Sequence, residues 1–331
     1  MNLSAGDIPP VKDLTIENIT ENVLAINSRC PNPRMKYLFE RLTTHLHDFA
    51  RETRLSTSEW EQSIKFLTKV GQICTDVRQE FILLSDILGL SLLVDSIDHP
   101  KPPASTEGTV LGPFHTHEAE LLHHGDSISQ DPDGEPCLVI CTVKDTSAKP
   151  VPGVKIDVWE ADSKGLYDVQ RADHKVSDGR AVLESDEKGH FHFKATVPVP
   201  YPIPSDGPVG DLLRKLYRHP YRPSHMHFMF EKTGYDHLIT ALYLRGDPYE
   251  SSDAVFGVKE SLVVDLKTVS DVEGLSAKYG VSPSTRLLRY DFVLVSDHET
   301  AVLRQKEAEK EIAKQNRHMK IVNGLPIPDV D

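Results

Sequence analysis

The sequence is poor in several things, and each shortage excludes something. Its 331 residues include only four cysteines. That is too few for a disulfide framework, and no Cys-x-x-Cys pair suggests a zinc ribbon. Positive charge is also short: 37 Lys and Arg stand against 50 Asp and Glu, leaving a net charge of −13. A field of that sign repels phosphate backbones and anionic lipid, so neither nucleic acid nor a membrane surface is expected as a partner. There is no long apolar run. The richest, Phe81 to Val94, is broken by Ser85 and Asp86 and is too short to span a bilayer. The opening MNLSAGDIPP carries neither a basic nor an apolar segment, so no secretory signal is expected and the chain reads as cytoplasmic. No internal repeat is visible. What the chain does have is 39% hydrophobic residues, length for about two domains, and 16 histidines, many of them paired at i, i+2.

The first hundred residues read as helices. Leu38, Leu42, Leu46 and Phe49 recur at the three-and-four spacing of one helix face. Ser56-x-x-Glu59 reads as a capping box, followed by Trp60, Ile64, Leu67 and Val70 at helical spacing. A third run, from about Val77 to Val94, is apolar nearly all round and predicts a buried helix. His99-Pro-Lys-Pro-Pro103 ends the helical pattern, because closely spaced prolines remove donors. From about residue 108 the period becomes two: Cys137, Val139, Cys141 and Val143, then Val154, Ile156 and Val158, then Phe191 and Phe193. Runs at 225–230, 238–244, 261–266 and 287–295 are also strand-like. With turn clusters and no helices between them, these predict a β-sandwich. The expectation is an α+β chain: a helical domain over 1–105, an all-β sandwich domain over 106–298, and a charged helical surface tail over 299–331.

Four histidine pairs are His-x-His. On a helix, i and i+2 point apart, so His45/His47 cannot share a ligand. On a strand they share a face, and two imidazoles there can reach one metal. His115/His117 lies in a loop beside His123 and His124, where a metal is one reading. His190/His192 reads equally well as a solvated strand face. His225/His227 stands out because Arg222, three residues earlier, places a guanidinium beside two imidazoles, a natural clamp for an oxyanion. His225-x-His227-x3-Glu231 also fits half of a cupin metal motif, with no convincing second half downstream.

At this point a resemblance becomes specific. Val158-Trp-Glu-Ala-Asp-Ser-Lys-Gly-Leu-Tyr167 resembles the first ligand segment of intradiol ring-cleavage dioxygenases, Val197-Pro-Val-Pro-Tyr201 the second, and Arg222-Pro-Ser-His225-Met-His227-Phe228 the third. Leu111-Gly-Pro-Phe114 is similar to the loop that closes that family's substrate pocket. The resemblance implies one non-haem Fe(III) per chain, held by Tyr167, Tyr201, His225 and His227. Ferric iron is hard, and phenolate is a hard anionic ligand that stabilises it. It also implies that an aromatic diol chelates the iron as Tyr201 leaves and takes a proton, that O2 attacks the activated ring, and that Arg222 stabilises the negative charge.

Further residues resemble the hydroxyquinol (1,2,4-trihydroxybenzene) branch of the family. Leu83 and Asp86 match pocket positions, and a carboxylate suits a substrate with a third hydroxyl. Val110, Leu111, Gly112, Pro113, Phe114, Ile203, Pro204, Arg222 and Val255 complete the implied pocket. Ala241 departs from the Gln of many catechol-cleaving relatives. Catechol remains the alternative substrate, while a cupin-like metalloenzyme and a non-catalytic β-sandwich that binds a small ligand remain the alternative readings. The helical domain carries more apolar surface than a monomer comfortably exposes, so a homodimer through it is expected. The resemblance adds bound phospholipid at that interface.

Overall fold

The computed structural model describes residues 13–75, 78–117, 119–171, 177–315 and 318–329. The opening MNLSAGDIPP and Val77, where the third helical run was expected to start, lie outside them. The described helices and strands are α1 (Ile19–Asn27), α2 (Pro33–Glu52), α3 (Thr57–Ile73), α4 (Glu80–Ile87), α5 (Leu90–Asp98), β1 (Pro136–Asp145), β2 (Lys155–Glu160), β3 (Arg180–Glu184), β4 (His190–Thr196), β5 (Tyr201–Pro202), α6 (Pro208–Lys215), β6 (Tyr221–Arg222), β7 (His225–Glu231), β8 (Leu238–Leu244), β9 (Val263–Val264), β10 (Lys267–Thr268), α7 (Leu275–Tyr279), β11 (Arg286–Leu294), α8 (Asp297–Lys314), β12 (Met319–Val322) and β13 (Leu325–Pro328).

By packing, the chain forms two compact units, one up to Thr68 together with Arg304 onward, the other Lys69–Leu303. The unit that carries the β-sandwich thus begins inside α3, well before residue 106, and includes α4 and α5.

In the first unit, α2 starts where the Asn32 side chain accepts from Met35 N (2.9 Å) and Pro33 supplies a fixed φ. The expected capping box opens α3: Ser56 N donates to Glu59 (2.9 Å) and Glu59 N to Ser56 Oγ (3.3 Å). The chain's end is more than a helical tail. After α8 it forms the β12–β13 hairpin, where Arg34 of α2 donates to the Pro326 carbonyl (2.6 Å) and Tyr37 to Gln315 (2.7 Å).

The single buried helix expected up to Val94 is two helices. Gly89, at φ +72°, takes the left-handed conformation that ends α4 and starts α5. Nor is the run buried all round: Phe81, Ile82, Leu88, Leu90, Leu93 and Val94 are exposed, whereas Leu83, Asp86 and Ile87 are buried.

The sandwich consists of a four-stranded sheet, β10-β11-β1-β4, and a five-stranded sheet, β3-β2-β7-β8-β9. Phe191, Phe193 and Phe292 from the first meet Met226, Phe228 and Phe230 from the second in one core. Cys137 and Cys141 lie there too, as free thiols pushed up by burial. Because strand side chains alternate, His225, His227 and Met229 point out of the sandwich from β7. Trp159 and Asp157 of β2 and Ala241 and Tyr243 of β8 pair with that same outer face. No pattern along the chain announces α6, a short helix inside the β region whose prolines and glycines read as loop.

Candidate active site

Both sequence-predicted tyrosines and both histidines of the third segment meet on this outer face. Tyr167 comes from the loop after β2, Tyr201 from β5, and His225 and His227 from β7; all four are buried. The phenol oxygens are 3.2 Å apart. His225 Nε2 lies 3.3 Å from the Tyr201 oxygen, 3.5 Å from the Tyr167 oxygen and 3.0 Å from His227 Nε2. Donors that share one cation at about 2 Å must sit roughly this far from each other. Among the described residues, no three His, Cys, Asp or Glu side chains form a metal-binding group, so the phenols are needed to complete this donor set.

The electrostatics favour neutral donors waiting for positive charge. Burial pushes the Tyr167 phenol well up, helped by the neighbouring Tyr201, and burial raises Tyr201 against the opposing pull of Arg222. Burial also pushes His225 and His227 well down, with Arg222 and the neighbouring imidazole adding to it. His225 Nδ1 donates to the Pro223 carbonyl (2.7 Å), which leaves the Nε2 lone pair facing the centre. The His227 ring lies flat on Trp159, centroids 4.7 Å apart, and its buried Nδ1 has no partner among the described residues. A cation would release the phenol protons and give all four groups a common partner.

Arg222 is buried beside them. Its Nη1 is 2.9 Å from His225 Nε2, its Nη2 donates to Tyr243 (3.1 Å), and Nε and Nη2 reach the two oxygens of Asp253 (3.2 and 3.3 Å). The Leu111–Phe114 loop closes on the same centre. Phe114 stacks on Tyr167 at 4.7 Å, and a Cβ at Gly112, whose φ is +74°, would sit 3.6 Å from His227 Nε2. Gly165 (φ +76°) lets the Tyr167 segment lie against Tyr201, where a Cβ would come within 2.8 Å of the Tyr201 Cβ.

Of the other pocket candidates, Leu83, Asp86, Val110, Ile203 and Val255 are buried, Pro204 is half-buried, and Leu111 and Pro113 are exposed. Burial raises the Asp86 carboxyl, while Ser91 and the charge of Arg222 oppose the rise. Glu231 is a correction to the cupin-like alternative: it is exposed at the far end of β7 and paired with Lys155 (2.9 Å), away from both histidines. His115 bonds Asp157 (3.1 Å) and stacks edge-on against Trp159, so it braces the ring beneath His227.

Two family models match: one described as dioxygenase over residues 110–296, and one described as catechol dioxygenase N terminus over residues 32–106. The chain belongs to the intradiol ring-cleavage dioxygenases. The intradiol ring-cleavage dioxygenase hqdA of Aspergillus niger is 67% identical over 331 residues, the whole of both chains. A 6-chlorohydroxyquinol 1,2-dioxygenase of Cupriavidus pinatubonensis is 47% identical over 277 residues, 84% of this chain and 96% of its own. Among solved structures, hydroxyquinol 1,2-dioxygenase from Pseudomonas putida DLL-E4 matches with a TM-score of 0.79 and 41% identity, covering 85% of this chain and 99% of that one. The expected α+β class, helices before a β catalytic part, is therefore that of the family.

In this dioxygenase several site residues escaped the sequence reading. Asp253 and Tyr243 hold Arg222, and Asp253 also accepts from Val255 N (3.2 Å) and Gly257 N (2.9 Å). Asp247 accepts from Ser224 N (2.9 Å) and fixes the bend between Arg222 and His225. Arg180 donates to the Phe114 carbonyl (3.1 Å) and pairs with buried Asp168, which follows Tyr167.

Proposed function

We propose that this dioxygenase opens the ring of hydroxyquinol with O2, breaking the bond between its two adjacent hydroxyl-bearing carbons. The product is maleylacetate, whose enol form is 3-hydroxy-cis,cis-muconate. One ferric ion per chain is held by Tyr167, Tyr201, His225 and His227. The observation that carries the reading is the meeting of both phenol oxygens and His227 Nε2 within 3.5 Å of His225 Nε2 in a buried site. Two phenolates and one hydroxide balance three positive charges, so the set suits a trivalent ion in a poorly solvated place. When bound, that ion supplies a chelation point that makes the substrate ring electron-rich towards O2.

The chain's own residues do the rest. Tyr201, in its phenolate form, would take one substrate hydroxyl proton. Arg222, held rigid by Asp253 and Tyr243, stabilises negative charge as the ring loses aromaticity. Phe114 and Val255 exclude water from the ring. Asp86 accepts from the third hydroxyl, which separates hydroxyquinol from catechol, and the relatives named for hydroxyquinols support that choice. A homodimer forms through the exposed apolar stripes of α2 and α3, with phospholipid at the interface and one active site per chain. The described residues contain no helix long and apolar enough to cross a membrane.

Colour tests the centre. The purified protein is expected to be red to burgundy from phenolate-to-iron charge transfer, and Tyr167→Phe to weaken the band. A colourless preparation with stoichiometric iron would remove the ligand set. For the substrate, Asp86→Ala is expected to cut the preference for hydroxyquinol over catechol by about tenfold, the value of one hydrogen bond to a charged group. An unchanged preference would leave Asp86 without this role.

A further inference from the structure

We propose that Arg218 is a positioning residue that sets the width of the substrate pocket by tying two of its walls together. One wall is α4, which carries Leu83 and Asp86; the other is the segment holding Asp253 and Val255. Arg218 Nη1 donates to the carbonyl of Ile87 (2.7 Å), and Nη2 to the carbonyl of Ala254 (2.8 Å). The first acceptor is adjacent in the chain to Asp86. The second lies between Asp253, which anchors Arg222, and Val255. One guanidinium therefore fixes the distance between the carboxylate that reads the third hydroxyl and the wall that lines the ring. This inference rests on the reading of that carboxylate given above.

The bridge suits an arginine for physical reasons. At the end of α4, Leu88 N and Gly89 N turn back to the carbonyls of Leu84 and Asp86. The Ile87 carbonyl is met by Arg218 instead, and a cation is favoured at that end of a helix. A planar fork can span two carbonyls in fixed directions, which a lysine ammonium cannot do from one point. The guanidinium also lies over the Phe256 ring, 4.8 Å from its centroid, and Phe256 itself holds a left-handed φ of +61°. The loop is thus shaped around Arg218.

The other end of α4 is held as firmly. Buried Glu80, its first residue, accepts from Val209 N (3.1 Å) in the first turn of α6. Arg78 donates to Glu80 (3.0 Å) and to both oxygens of Asp206 (3.1 and 2.9 Å). So α4 is tied at its start to the beginning of α6 and at its end to a residue that follows α6. The chain from Tyr201 to Arg222 brackets it from both sides. With both ends held, α4 cannot tilt without breaking a charged hydrogen bond.

Arg218 borders an open cleft of about 590 Å³, also lined by Tyr217, His219, Ser252 and Phe256, so its place is reachable from solvent. The test uses the iron-loaded enzyme with Arg218→Ala and Arg218→Lys. In Arg218→Ala, KM for hydroxyquinol is expected to rise about tenfold and the hydroxyquinol-to-catechol ratio of kcat/KM to fall by a similar factor. The visible band should stay, because no proposed iron ligand is touched. Amide exchange in 83–89 and 253–257 should quicken in the metal-free protein as well, and tens of millimolar guanidinium should restore part of KM. Arg218→Lys keeps the charge and should fall between the two; it serves if the alanine variant fails to fold. If Asp86→Ala proves neutral, the carboxylate reading falls alone, and Arg218→Ala must still raise KM for both substrates. Unchanged KM values for both, or unchanged exchange in the two segments, overturn the positioning role.

Discussion

In α2, Leu38, Leu42, Leu46 and Phe49 are each 48–57% exposed, whereas His225 and His227 of β7 are 1% exposed. The two elements thus break the usual sorting of residues in opposite directions. Carbon left in water costs about 25 cal/mol per Å2, and polar groups taken out of water cost more unless something pairs with them. Under the proposed function each departure is met by a partner from outside the chain. A stripe of aliphatic side chains asks for another apolar surface, and four converging lone-pair donors ask for a cation. The same bookkeeping distinguishes Glu160, buried with Oε2 unpartnered among the described residues, as a polar group for which neither kind of partner is evident.

Three variants break or sharpen that contrast. The largest effect belongs to Arg222→Lys. A single ammonium cannot reach Tyr243 and both oxygens of Asp253 while staying beside His225. kcat should drop about 10²–10³-fold, the scale of losing a preorganised charge-stabilising donor, in steady-state assays. A drop smaller than fivefold would mean that the buried charge serves the fold alone.

Glu160→Gln comes next. Burial pushes this carboxyl up to about 8 from an ordinary value of 4.5. Below pH 4.5 both folded and unfolded chains hold the proton; between 4.5 and 8 the folded chain binds more of it, so stability falls as pH rises through that window. The slope is on the order of 1 kcal/mol per pH unit. Glu160→Gln keeps an acceptor for Thr196 N and removes the titration. Urea unfolding should show the variant gaining on the wild type at pH 8 relative to pH 5, and parallel curves would refute the assignment.

The smallest effect on chemistry should come from the helical stripe. Leu42→Glu with Leu46→Glu should halve the mass seen by light scattering while kcat changes by less than about twofold, since neither side chain belongs to the donor set. A wild-type protein that already scatters as a monomer would remove the dimer and leave the apolar stripe unexplained.

Much of this was legible along the chain. The three-and-four spacing marks α2 and α3, the period of two marks β1, β2 and β4, strand-like runs mark β7 and β8, and His225 and His227 share a face because strand geometry allows nothing else. The tyrosines were legible only through their resemblance to known segments, since an isolated Tyr in sequence looks like any core ring. What escaped has a common cause. Asp253, Tyr243, Asp247 and Arg180 act on residues distant in sequence, and α6 is eight residues long among prolines and glycines. The run near Phe81 misled because a continuous apolar stretch carries no facing information, and only Gly89 shows where it breaks.

By itself the sequence determined the chemistry on offer: which side chains can ligate, their alternation on a strand, and the apolar faces of the helices. Those are local properties, set by covalent geometry and by periods of 2 and 3.6 residues. Only the tertiary structure decided that Tyr167, Tyr201, His225 and His227 converge, that Asp253 grips Arg222, and that Arg218 joins Ile87 to Ala254. Convergence depends on how two sheets pack and where loops return, and the energy of that packing is summed over contacts that no single stretch of chain contains.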